Sequence, residues 1–169
     1  MNREEQNAFL SKEYAESIRY MDNAKETLRK AGMDGLNYAD KKYVRTACGT
    51  AYNGLLAALD AWFVLKGIPI PRKKQRKSIE YYTFNIAKLD KKILSNLDVA
   101  YDVLHLSGYY DGILAVKVIE GGFGAAYAII EKIKPETPVD VQETRGGKAK
   151  RAWNALLISA AVMFMRNRF

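Results

Sequence analysis

The stretch over residues 43–66, YVRTACGTAYNGLLAALDAWFVLK, carries no charge between Thr46 and Leu59. Put Val44 at zero on a helical wheel and step about 100° per residue. Cys48, Ala51, Leu55, Ala58, Leu59 and Trp62 then fall within roughly 60° of it. Tyr52, Leu56 and Phe63 widen the apolar arc on one side, Ala47 and Leu65 on the other. A helix this apolar over most of its circumference belongs at the centre of a bundle, with the other elements packed around it.

The flanking sequence supplies those elements. A first helix starts at Asn2, with Glu5 completing a capping box, and repeats Tyr14, Ile18, Met21 and Leu28. Gly32 ends it, and Met33-Asp34-Gly35 is turn chemistry. Asn37 with Asp40 opens the central helix, Gly67 stops it, and Pro69 and Pro71 prevent a restart. Ser78 caps a short helix carrying Ile79, Tyr82, Phe84, Ile86 and Leu89. Asp90 caps another with Ile93, Leu94, Leu97, Tyr101 and Leu104, ended by Gly108. Tyr109-Tyr110-Asp111-Gly112 then reads as a turn or linker. A fifth helix is expected over 113–133. It contains Gly121, Gly122 and Gly124, each costing about 1 kcal/mol against Ala, so the helix breaks there or a neighbour packs very close. A loop over 134–147 leads to a final helix over 148–167. Strand signals are weak. The pattern predicts an all-α fold: a single domain over 1–169, built as an up-and-down antiparallel bundle of five to six helices.

The single cysteine, Cys48, excludes an internal disulfide and sits on the core arc, where it reads as a small buried hydrophobe. The N-terminus is charged where a signal peptide needs an apolar run, and no apolar run reaches the roughly 20 residues of a membrane span. A cytoplasmic protein without membrane contact is expected. The formal net charge is +8, and five of those charges are Arg72, Lys73, Lys74, Arg76 and Lys77. The basicity is therefore a local patch. It reads either as a solvated loop or as a contact for phosphate or nucleic acid, with Tyr81 and Tyr82 following as rings that can stack on bases.

Other candidates have a plain and a chemical reading. Asp98, Asp102 and His105 share one side of a helix. They form a polar flank with His105 bonded to a carboxylate, or a set able to bind a divalent metal or share a proton. Tyr109 and Tyr110, beside Asp111, close the end of the bundle or line a pocket with His105 and Asp102. The glycines at 121–124 lack the Gly-Lys-Ser/Thr of a phosphate loop, and tight packing explains them better. Gly146-Gly147-Lys148 opens a helix with Lys150 and Arg151 in its first turn, as a generic anion site or a solvated helix start. No cofactor motif is present.

The phrase Ala51-Tyr52-Asn53-Gly54-Leu55-Leu56-Ala57-Ala58-Leu59-Asp60-Ala61-Trp62, closed by Lys66-Gly67, resembles the central helix of HEPN-type bundles, the higher eukaryotes and prokaryotes nucleotide-binding domain. The segment 101–112, YDVLHLSGYYDG, is similar to the place where that superfamily carries its functional motif, and Ala125-Ala126-Tyr127 with Ile129-Ile130 resembles the helix that follows. The resemblance spans residues 5–135. It implies a four- to five-helix bundle, homodimerisation, and association with RNA or nucleotides. Apolar Met163, Phe164, Met165 and Phe169 near the C-terminus also suggest a dimer. The family's ribonucleases carry an Arg, a polar residue and a His after a short gap. Here the residues before His105 are Tyr101, Ala100, Val99 and Asp98, so no catalytic pair carries over. The resemblance thus implies an uncharacterised non-nuclease bacterial member: a binding module for RNA, nucleotide or a protein partner. The alternatives are a divergent metal-independent ribonuclease, with Arg45, His105, Tyr110 and Asp111 standing in, and a structural protein–protein interaction bundle.

Overall fold

A computed structural model describes residues 1–69 and 78–135. The basic segment 72–77, the loop beyond residue 135, the Gly146-Gly147-Lys148 start and the helix expected over 148–167 lie outside the described residues. α1, Arg3–Arg29, starts from the expected capping box: Glu5 N donates to Asn2 Oδ1 at 2.8 Å, and Asn2 N donates to Glu5 Oε2 at 2.9 Å. Two backbone donors that a helix start leaves unpaired are satisfied reciprocally. α1 buries Ser17, Met21, Ala24 and Leu28.

A small hairpin follows where only a turn was expected. β1, Met33–Asp34, pairs antiparallel with β2, Asn37–Tyr38. Asn37 is therefore a strand residue and not a helix start. Asp40 alone caps the next helix, its Oδ1 accepting from Lys42 N at 2.8 Å. Two-residue strands are too short to show an alternating pattern. The hairpin is held from outside as well. Tyr38 N donates to Leu114 O at 2.9 Å, and Val116 N donates to Leu36 O at 3.1 Å.

α2, Lys41–Leu65, is the central element. Val44, Cys48, Ala51, Leu55, Ala58 and Leu59 are fully buried. The helix packs against α1 on one side and against later helices on others. Gly54 permits the α1 approach, since a β-carbon there would lie 2.7 Å from Tyr20 Cβ. Gly67, at φ 67°, follows the end of the helix.

α3, Ile79–Ala87, buries Tyr82 and Ile86. Ile79 packs half-buried against the core, whereas Phe84 and Leu89 of the expected stripe are exposed, and the Lys88 ammonium lies 3.6 Å from the Phe84 ring centre. A helix of nine residues offers little more than two turns to the core, so a five-residue stripe overfills it.

α4, Lys91–Ala100, is capped by Asp90, which accepts from Lys92 N and Ile93 N at 2.9 and 3.0 Å. It runs directly into a π-helical segment, Tyr101–Asp111. Here the structure corrects the sequence reading. Gly108 does not end the helix, and residues 109–111 are helical and not a turn. Gly108 is buried because α2 passes so close that a β-carbon would lie 2.5 Å from Cys48 Sγ. The terminator is Gly112, at φ 68°, with Ile113 N donating back to Ser107 O at 2.9 Å.

α5, Val116–Ile130, buries Ile119, Phe123, Ala126 and Ile130. It is shorter than expected because Ala115 is taken by a bridge to Asn37, and Glu131–Ile133 tighten into a 3₁₀ turn. Of its glycines only Gly122 is explained by packing, against Val103. Gly121 and Gly124 face open space. The described residues are thus all-α apart from one hairpin. No helix among them is long and apolar enough to cross a membrane.

Candidate functional site

A groove of about 830 Å³ opens between α2, α3 and the π-helical segment. Its α2 wall is Thr46, Gly49, Thr50, Asn53 and Leu56, with Tyr52 at its edge. These positions recur every three or four residues and lie opposite Val44 on the wheel, so the groove uses the less apolar side of the core helix. α3 and its cap contribute Ser78, Ile79, Glu80 and Tyr82. The third wall is Tyr101, His105, Tyr109 and Tyr110.

The π-helical backbone explains that third wall. Bonding from i to i+5 takes more than four residues per turn, so side chains four apart come nearly into line. The rings of Tyr101 and His105 stack at 5.2 Å and 28°, and those of His105 and Tyr109 at 6.2 Å and 13°. Tyr52 stacks on His105 from α2 at 4.7 Å, and Tyr110 meets it edge-on at 5.0 Å. Gly49 makes room, since a β-carbon there would lie 3.0 Å from the Tyr109 ring. Arg45 donates to the Tyr110 carbonyl, which satisfies one acceptor that the end of a helix leaves open.

Burial holds the pKa of His105 below the usual imidazole range, so the ring is neutral at neutral pH. Burial also pushes the Tyr52 phenol up. The Ser78 hydroxyl, bonded to Glu80, holds that carboxyl below its ordinary value. The groove therefore presents an ionised carboxylate and neutral rings. Cys48 lies behind it, its thiol pushed up to about 12 by burial, which leaves it unreactive.

Of the residues singled out in sequence, His105, Tyr109 and Tyr110 line the groove, so the two tyrosines face a pocket. Asp102 and Asp111 are exposed and not part of its lining, and Asp98 is exposed as well. His105 makes no hydrogen bond to a carboxylate among the described residues. Its neighbours are rings. Among those residues no group of His, Cys, Asp and Glu is placed to hold a metal ion. Tyr82 is not free to stack on a base. Tyr82 is buried and donates to Asp60 Oδ1 at 2.9 Å, and Tyr81 donates to Pro69 O at 2.7 Å. Arg72, Lys73, Lys74, Arg76 and Lys77 lie outside the described residues. Sequence reasoning missed Thr46, Thr50, Asn53 and Glu80. The first three were legible as the polar interruptions of α2 at helical spacing. Glu80 carried no signal.

Residues 12–135 match the family described as a domain of unknown function, DUF5618. The chain belongs to this family. A solved structure of a protein of unknown function from Dyadobacter fermentans is similar to this DUF5618 chain, at 40% identity and a TM-score of 0.66, over 73% of this chain and 94% of that one. No curated protein matches the chain.

Proposed function

We propose that this DUF5618 chain is a non-catalytic binding module of HEPN type, a homodimer that holds RNA or a nucleotide with a base on the rings of the groove. The stacked series Tyr101, His105 and Tyr109, with Tyr52 and Tyr110 against its middle ring, carries the reading. Tyr109 and Tyr110 are 44% and 57% exposed, so part of each ring is available to a ligand. Base–aromatic stacking contributes about 1–3 kcal/mol per base and tolerates any sequence. Arg72, Lys73, Lys74, Arg76 and Lys77 supply phosphate contacts. Ser78, the next residue in the chain, lines the groove.

The test is binding of labelled single-stranded RNA to the wild type and to a Tyr109→Ala, Tyr110→Ala double variant. Loss of stacking should weaken binding by about tenfold or more. Equal affinities would remove the rings from the site. No binding by either protein would leave the protein–protein interaction bundle as the better account.

A second reading is the divergent metal-independent ribonuclease. The bond from Arg45 to the Tyr110 carbonyl, and the contact of Tyr110 with a neutral His105, favour it. A neutral imidazole can take a proton. RNA turnover that disappears in His105→Ala would establish it.

A further inference from the structure

Charge is distributed unevenly around the groove. The whole chain is +8, yet no Lys or Arg is among the described residues that line it. Glu80 is the one acidic residue of that lining, exposed in the first turn of α3 and ionised at neutral pH. Burial keeps His105 neutral. The cations on the first turns of α2 are placed elsewhere. Lys42 lies over the Tyr43 ring, Lys41 against Gly112, and Arg45 donates to the Tyr110 carbonyl. The start of α3, where Ser78 makes no side-chain cap, brings about half a positive charge to the lining. The full negative charge of Glu80 in the same turn outweighs it.

Hydrogen bonding does not choose between bases here. The Asn53 amide, the His105 ring and the hydroxyls of Tyr101, Tyr109 and Tyr110 all both donate and accept. The rings do choose by charge. The face of an aromatic ring is the negative side of its quadrupole and attracts a cation. Tyr109 and Tyr110 meet at 75° with centres 5.0 Å apart, and both are exposed.

We infer that the groove takes a positively charged nucleobase, one methylated on a ring nitrogen, in preference to a neutral base of the same size. This rests on the reading of the groove as a base site and adds the charge of the ligand. Such a base keeps its flat shape and spreads its charge over the stacking face. It therefore gains cation–π attraction on the tyrosines that a neutral base lacks. Glu80 adds an attraction that acts on the cation alone.

The experiment titrates wild type and Glu80→Gln with two isomeric nucleosides, 1-methyladenosine, cationic at neutral pH, and N6-methyladenosine, which is neutral. Neither carries a phosphate, so the basic segment does not enter. Glu80 is exposed, so the variant keeps the fold, checked by an unchanged thermal melt. Wild type should bind the cationic isomer about fivefold more tightly. The ratio should fall in Glu80→Gln and with added salt, which screens an exposed carboxylate. Equal binding of the isomers, tighter binding of the neutral one, or a ratio untouched by Glu80→Gln would overturn the preference. So would failure of both nucleosides while single-stranded RNA still binds. Failure of both nucleosides and of RNA would overturn the base site itself.

Discussion

Gly108 and Cys48 touch so closely that no other residue fits at 108: a β-carbon there would lie 2.5 Å from Cys48 Sγ and 2.9 Å from Cys48 Cβ. Gly108→Ala should therefore destabilise the fold by about 1–3 kcal/mol, the cost of forcing volume into a packed core. Cys48→Ala should recover part of that loss, because it removes the nearer clash. Recovery stays incomplete, since the Val103 carbonyl also lies 2.9 Å from the added carbon. Urea melts of the two single variants and the double variant should show this coupling. Additive losses would mean that the two residues do not meet.

His105 should titrate low. It is the one histidine of the chain, so a single imidazole resonance reports it without ambiguity. Its pKa is depressed by burial, so the folded state binds fewer protons than the unfolded state below about pH 6.5. Stability should be level above that pH and fall as the solution is acidified towards the folded-state pKa. An NMR titration with a midpoint at or above the free-imidazole value would refute it.

Tyr82 should be worth a measurable hydrogen bond. Its hydroxyl donates to a carboxylate at 2.9 Å, and bonds to charged groups contribute about 1.5–3 kcal/mol. Asp60 is half-buried, which places Tyr82→Phe at the lower end of that range. Burial first, and then the charge of Asp60, push the phenol well above its ordinary value. A raised folded pKa means stability that is intact below about pH 10 and lost as the pH climbs beyond it. Tyr82→Phe should be less sensitive to alkali than wild type in melts across that range.

The basic segment should act on salt dependence and not on sequence preference. Three phosphates neutralised on a single strand give a slope of log affinity against log salt of about −2. Replacing Arg72, Lys73 and Lys74 with Gln should flatten that slope and weaken all RNA sequences by a similar factor. Identical salt titrations for wild type and variant would leave the segment as a solvated loop.

The core helix was readable because its apolar positions keep one period over 25 residues. The caps of α1, α2 and α4 were readable because Asn2, Asp40 and Asp90 act within a few residues of themselves. What stayed hidden depends on distant partners. Gly108 looks like a stop until Cys48 is known to lie beside it. The strands at 33–38 are pinned by residues 114–116, far along the chain. The groove was half legible. His105, Tyr109 and Tyr110 stood out by residue type. The α-helical wheel assigned His105 to Asp98 and Asp102, whereas the π-helical winding aligns it with Tyr101 and Tyr109.

That winding has an evolutionary corollary. With more than four residues per turn, one residue of this segment is a rotation of a little under ~90°, so losing a single codon between His105 and Tyr109 would swing both terminal tyrosines away from the cleft while Tyr101 stayed put. Gaining it back would restore them together. In this segment a change of length, with no change in the alphabet of side chains, is enough to dismantle or rebuild one whole wall.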